Sequence, residues 1–295
     1  MESKIVNFRA TDGIKLDGII YKTEKVTDKV LIQVHGMTSD CFKNRNKIIA
    51  NAIKELDIDT IVFNNRGSQI VKYITDGNHK TLAGTAYENI EDCEYDIIGA
   101  IDYALSIGYK NIYLQGHSLG CTKIVYTYNK LKEQNSVLLD NIKGIILLSL
   151  VDIPGVVNMG TTKEFIILAE EKEMKGETME MMPIKSFIHP MSVKTFLKYT
   201  KYNQNIDFAK YDIKEDEFEE LNKIQCPLFM RWGNVNELIK QDAKALVKFM
   251  NEKIYNRFKD IDYIEGADHG YHEKEKILAK QIYQFLKNSH WGTVL

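Results

Sequence analysis

The residues with the clearest capacity for chemistry are Gly116-His117-Ser118-Leu119-Gly120. A serine between glycines at this spacing suits a sharp turn that lifts its hydroxyl clear of the backbone, because a Cβ at either glycine would crowd the turn. Such a hydroxyl attacks an acyl carbonyl once a base takes its proton. In a chain with this motif the base is a histidine on a loop near the C-terminus, after the last strand. His269, in Gly266-Ala267-Asp268-His269-Gly270-Tyr271, has that placement; His35, His117, His189 and His272 do not. Two backbone N–H groups must then hold the oxyanion. Leu119 is expected to give one and Met37, in Val34-His35-Gly36-Met37, the other.

These groups lie far apart in the chain, so the surrounding elements must bring them together. Residues 5–9 and 14–21 alternate apolar and polar positions around Asp12-Gly13, which predicts a hairpin. Apolar runs at 30–34, 60–63, 111–115 and 144–150 read as strands buried on both faces. Between them, helical spacing appears at 42–56, 87–105 and 119–133. Repeated strand–helix units with fully apolar strands predict a doubly wound, mostly parallel α/β sheet with helices on both faces.

After the sixth strand the alternation stops. Residues 152–225 are rich in charge and in methionine (Met159, Met174, Met179, Met181, Met182 and Met191), with helical spacing at 162–174, 192–202 and 215–221. They are expected to form a helical cap inserted into a core of residues 1–151 and 226–288, followed by a loose tail at 289–295. Methionines of this kind suit either an adaptable pocket or a packed core, and the core use is the commoner. The core pattern resumes with a strand at 227–232, a helix from about 237 to 250, a strand near 262–264 and a helix at 273–286.

Composition narrows the partners. The 295 residues carry 39 basic and 41 acidic side chains, a net charge of -2, which gives no excess of Lys and Arg for phosphate binding and so predicts no nucleic-acid partner. No apolar run approaches the ~20 residues of a membrane span, and residues 1–9 show no apolar leader, so a cytoplasmic protein with no membrane partner is expected. Cys41, Cys93, Cys121 and Cys226 are widely spaced and form no metal-binding pair. They predict free thiols and no metal site.

Taken together, Gly116-His117-Ser118-Leu119-Gly120, His35-Gly36-Met37, Asn65-Arg66-Gly67, Trp232-Gly233 and Asp268-His269-Gly270 resemble the α/β-hydrolase superfamily over the whole chain. More narrowly, the chain is similar to a group of hydrolases that includes fungal siderophore esterases. The resemblance implies a serine hydrolase that cleaves a small-molecule ester or thioester, without metal or organic cofactor. Acyl transfer and peptide cleavage are open to the same fold. The superfamily's acid usually stands as Gly-x-x-Asp, where this chain reads Gly233-Asn234-Val235-Asn236 followed by Glu237. A carboxylate fixes the imidazole tautomer and stabilises the imidazolium, which an amide cannot do. Glu237 is therefore the favoured partner of His269, although it also suits a helix N-terminus. Asp152, at the end of an earlier core strand, and Asn236, as a weak orienter or helix cap, are the alternatives. An amide there would also suit a binding protein that does not turn over its ligand.

Overall fold

The computed structural model describes the chain apart from residues 77–78, 158–159, 202–205, 212–215 and 289–295; the expected tail and Met159 lie outside the described residues. Strands β1 (Glu2–Arg9) and β2 (Lys15–Lys22) form the expected antiparallel hairpin. The turn between them uses Gly13 at φ 94°, a conformation that only glycine adopts readily. Strands β3 (Lys29–Val34) and β4 (Asp59–Asn64) follow. Next comes a hairpin that sequence patterning did not announce, β5 (Lys72–Asp76) with β6 (His79–Ala83), which forms its own two-stranded sheet. Its strands are only five residues each and mix exposed positions such as Tyr73 and Thr75 with half-buried Ile74 and buried Ala83. Strands β7 (Asn111–His117), β8 (Ile142–Leu148), β9 (Leu228–Gly233) and β10 (Lys259–Ile264) complete an eight-stranded sheet of order β1-β2-β4-β3-β7-β8-β9-β10. From β4 to β10 every neighbouring pair is parallel.

Burial on both faces explains why these strands are apolar throughout. Ile32, Ile112, Leu114, Ile145 and Met230 point to one face, which is covered by helices α2 (Cys93–Ser106), α3 (Leu119–Glu133) and α8 (Ala243–Lys253). Leu31, Tyr113, Ile146 and Phe229 point to the other, against α1 (Asn44–Ile53) and α9 (Glu275–Asn288). Alternate residues of one strand thus enter different cores, and truncating one of them to alanine costs about 2–5 kcal/mol.

Between β8 and β9 the described residues add α4 (Ile153–Val157), α5 (Lys163–Met174), α6 (Val193–Thr200) and α7 (Glu219–Asn222). Apolar residues of the first three pack as a separate cluster that also takes in Leu119 and Ile90. One boundary differs from expectation. The helix anticipated from residue 237 begins at Ala243, where Asp242 caps it by accepting from the Lys244 and Ala245 amides at 3.0 and 3.1 Å. Residues 234–242 are a loop, so neither Glu237 nor Asn236 serves a helix end.

Candidate active site

The singled-out residues converge because each follows the C-terminal end of a parallel strand, where a doubly wound sheet opens its crevice. Met37 follows β3, Ser118 follows β7, Glu237 follows β9 and His269 follows β10. The turn at Ser118 is sharp: its backbone sits at φ 54° and ψ -127°, between β7 and the first residue of α3. A left-handed serine is strained, and the packing around it shows what holds it. A Cβ on Gly116 would lie 2.5 Å from the Cys121 amide nitrogen, and one on Gly120 would lie 2.3 Å from the Val34 carbonyl. Gly36, on the facing loop, is as tightly placed: its Cβ would stand 2.8 Å from the Ser118 Cβ.

His269 Nδ1 is hydrogen-bonded to Glu237 Oε1. The other carboxylate oxygen, Oε2, accepts from the Ser149 hydroxyl at 2.8 Å and from the Gly233 amide at 2.9 Å. Burial opposes ionisation of Glu237, but the hydrogen bond and charge of His269, the Gly233 amide and the Ser149 hydroxyl outweigh it and hold the carboxyl below its ordinary value. The alternatives stand elsewhere. Asp152 accepts from the Gly155 amide at 2.9 Å, at the start of α4, and Asn236 is exposed at φ 49°.

The two loops are joined before their side chains meet. The Ala267 carbonyl accepts from the amides of Asn234 and Val235, both at 2.9 Å. The Asn234 side chain in turn accepts from the Gly266 amide at 2.7 Å and donates to Glu265 at 2.8 Å. Asp268 shapes its own loop, accepting from the amides of Gly270 and His272.

Several residues that sequence reasoning passed over support this arrangement. His117 Nε2 donates to the carbonyl of His269 at 2.7 Å, and the two rings lie 5.1 Å apart. Burial first, and then the nearby Arg45 charge, push the His117 pKa well below the ordinary histidine range, so the ring is neutral with its proton on Nε2. Arg45 Nη1 donates to the next carbonyl, Gly270, at 3.0 Å. On the facing loop, buried His35 donates from Nδ1 to the Gly36 carbonyl at 2.9 Å and accepts at Nε2 from the Asn65 amide at 3.3 Å. Burial, followed by the Lys123 charge, lowers its pKa to about 3. The only sequence signal for His117 and Ser149 was their position at a strand end.

Ser118 and His269 line one cavity of about 220 Å³, together with Met37 and Leu119. Leu119 opens α3, where the first amides have no acceptor within the helix. The segment after β8 contributes Val151, Ile153, Val156, Phe187 and Tyr199 as an apolar wall. None of its described methionines lines this cavity: Met182 and Met191 are buried in the cluster, while Met174, Met179 and Met181 are exposed. A larger cavity of about 550 Å³ lies between α3 and residues 207–210 and 216–220, with acidic side chains for half of its lining, and contains none of these groups. Size alone therefore does not mark the reactive site. No cluster of three or more metal-ligating side chains occurs among the described residues, and no helix among them is long and apolar enough to cross a membrane.

Comparison with solved structures places the whole chain in the α/β-hydrolase fold. Est1E from Butyrivibrio proteoclasticus, solved with bound ferulic acid, is similar at a TM-score of 0.67 and 17% identity, over 96% of this chain and 98% of that one. The α/β hydrolase GrgF from Penicillium sp. sh18 is similar at 0.69 and 15%, over 98% and 99%. A soluble variant of monoglyceride lipase from Saccharomyces cerevisiae, in complex with a substrate analog, is similar at 0.61 and 15%, over 96% and 94%. A search of curated protein sequences finds no match. A family model described as "Protein of unknown function (DUF1749)" matches residues 67–287.

Proposed function

The chain belongs to the DUF1749 family of proteins of unknown function, and from that premise we propose that it is a serine hydrolase acting on a small-molecule carboxylic ester or thioester. The observation that carries this reading is the Glu237 carboxylate on His269 Nδ1, with His269 and Ser118 facing one cavity. In this reading Glu237 keeps the His269 proton on Nδ1, so Nε2 is free to act as base. Ser118 Oγ attacks the acyl carbonyl as Nε2 takes its proton. The carbonyl oxygen becomes an oxyanion held by the Met37 and Leu119 amides. When the tetrahedral intermediate collapses, the bond to the alcohol or thiol breaks and His269 returns the proton to the departing group. Water, activated by His269, then hydrolyses the acyl-enzyme.

These steps call for no metal or organic cofactor. Residues 152–225 would act as the cap that shapes the acyl pocket, over a core of 1–151 and 226–288. The four cysteines are free thiols, which suits a cytoplasmic enzyme. The case for a binder without turnover rested on the amide at 236, and Glu237 beside His269 speaks against it.

A fluorophosphonate probe tests the reading. Wild-type protein should be labelled and should hydrolyse p-nitrophenyl butyrate. Ser118→Ala should lose the label and about 10⁴-fold or more in kcat. A folded wild-type protein that takes no label would remove Ser118 as nucleophile.

A further inference from the structure

Of the 17 residues that line the cavity, Lys43 is the one with a fixed charge, and none is acidic. The remaining polar groups are hydroxyls, backbone and histidines. His117 and His189 are both driven toward the neutral form by burial. Behind the lining, Glu237 is engaged by His269 and Arg45 by the Gly270 carbonyl, so exposed Lys43 is the cation that the cavity presents directly to a ligand, which favours an anionic one.

The placement of Lys43 says which half of the substrate carries that charge. Glu237 occupies Nδ1 of His269, so Nε2 returns the proton and the alcohol departs on the side of the 269 loop. Arg45 donates to Gly270 and ties this loop to the first turn of α1, two residues beyond Lys43. The wall from the segment after β8, with Val151, Ile153, Phe187 and Tyr199, belongs to an apolar cluster and offers a carboxylate no fixed cation. At about 220 Å³ the whole cavity is somewhat larger than the ~150 Å³ that accommodates benzene, which suits a short or single-ring acyl group.

We infer that the enzyme prefers esters of a small apolar acid with an alcohol that carries a carboxylate, phosphate or sulfate seated against Lys43. This inference rests on the hydrolase reading above. The probes are 4-butanoyloxybenzoate, its neutral methyl ester, and monophenyl glutarate, whose charge lies on the acyl side. The ratio of kcat/KM for the benzoate to that for its methyl ester should fall about three-fold in Lys43→Gln and about ten-fold in Lys43→Glu. In the wild type it should fall as salt is raised. Monophenyl glutarate should be the poorest substrate. A ratio that is the same in all three proteins, or a preference for the glutarate that depends on Lys43, overturns the inference while leaving Ser118-dependent hydrolysis intact. Hydrolysis that survives in Ser118→Ala would instead overturn the hydrolase reading and this inference with it.

Discussion

The two walls of the cavity are built by different forces. The wall from the strand ends is held by directional bonds: two amides on the Ala267 carbonyl, Asn234 across residues 265–266, and His117 and Arg45 on the carbonyls of His269 and Gly270. The wall from the segment after β8 is held by apolar packing. Among the described residues its polar ties to the rest include the Ser192 amide on the Ala86 carbonyl at 2.8 Å, the Thr195 hydroxyl on the Glu88 carbonyl at 3.3 Å and the Lys198–Glu91 ion pair at 2.6 Å. Proton transfer requires donor and acceptor within hydrogen-bond reach, which buried directional bonds enforce. Apolar packing fixes a shape but tolerates exchange of side chains at similar volume. The first wall suits chemistry and the second suits selection.

The largest test of this division falls on the first wall. Glu237→Gln keeps the shape but removes the charge, and kcat on p-nitrophenyl butyrate should drop about 10³- to 10⁴-fold with little change in KM. Asp152→Asn should cost less than ten-fold, since that carboxylate caps α4. A collapse in Asp152→Asn with Glu237→Gln active would reverse the assignment. On the second wall, Phe187→Ala should act on selection: kcat/KM for small aromatic acyl esters should fall about ten-fold, mainly through KM, and longer acyl chains should gain relative to them. The rate of fluorophosphonate labelling should change by no more than a few-fold. Loss of labelling to the extent seen in Ser118→Ala would show that the packed wall also sets the reacting geometry.

The same division accounts for what was legible in the sequence. Gly116, Ser118 and Gly120 are local: the turn needs them at fixed spacing, so the motif shows in five residues. The central strands were legible because burial on both faces leaves no polar positions. Glu237 was harder to read, because its role depends on a loop that displaces α8 to Ala243, and a carboxylate just ahead of a helical pattern reads equally as a helix end. His117 was set aside as a base, and its bond to the His269 carbonyl is a contact between residues 152 apart that no spacing rule encodes. The hairpin of β5 and β6 was missed because strands of five residues with few apolar side chains are too short to show a period. Nor could the sequence tell that none of the described methionines of the inserted segment meets the cavity, whose wall there includes Val151, Ile153, Val156, Phe187 and Tyr199.

Acid should separate the two walls by a smaller effect. His35 is depressed to about 3 in the folded chain by burial and by Lys123, whereas an unfolded histidine titrates near 6.5. Between these values the unfolded state binds more protons, so stability rises with pH across this window and is lost as pH falls below about 6.5. From pH 7 to pH 5 this group alone should lower unfolding stability by about 2 kcal/mol. His117 is depressed by burial and by Arg45 and adds in the same direction. Both histidines sit at strand ends, so the loops at residues 35–37, 65 and 269–270 should loosen before the packed segment does. Amide exchange at pH 5 should therefore rise first in those loops. Urea unfolding should show that His35→Gln is less stable than wild type at pH 7 yet loses less between pH 7 and pH 5. Equal losses in the two proteins would mean that another group carries the acid sensitivity, and that directional bonding at the strand ends holds through this range.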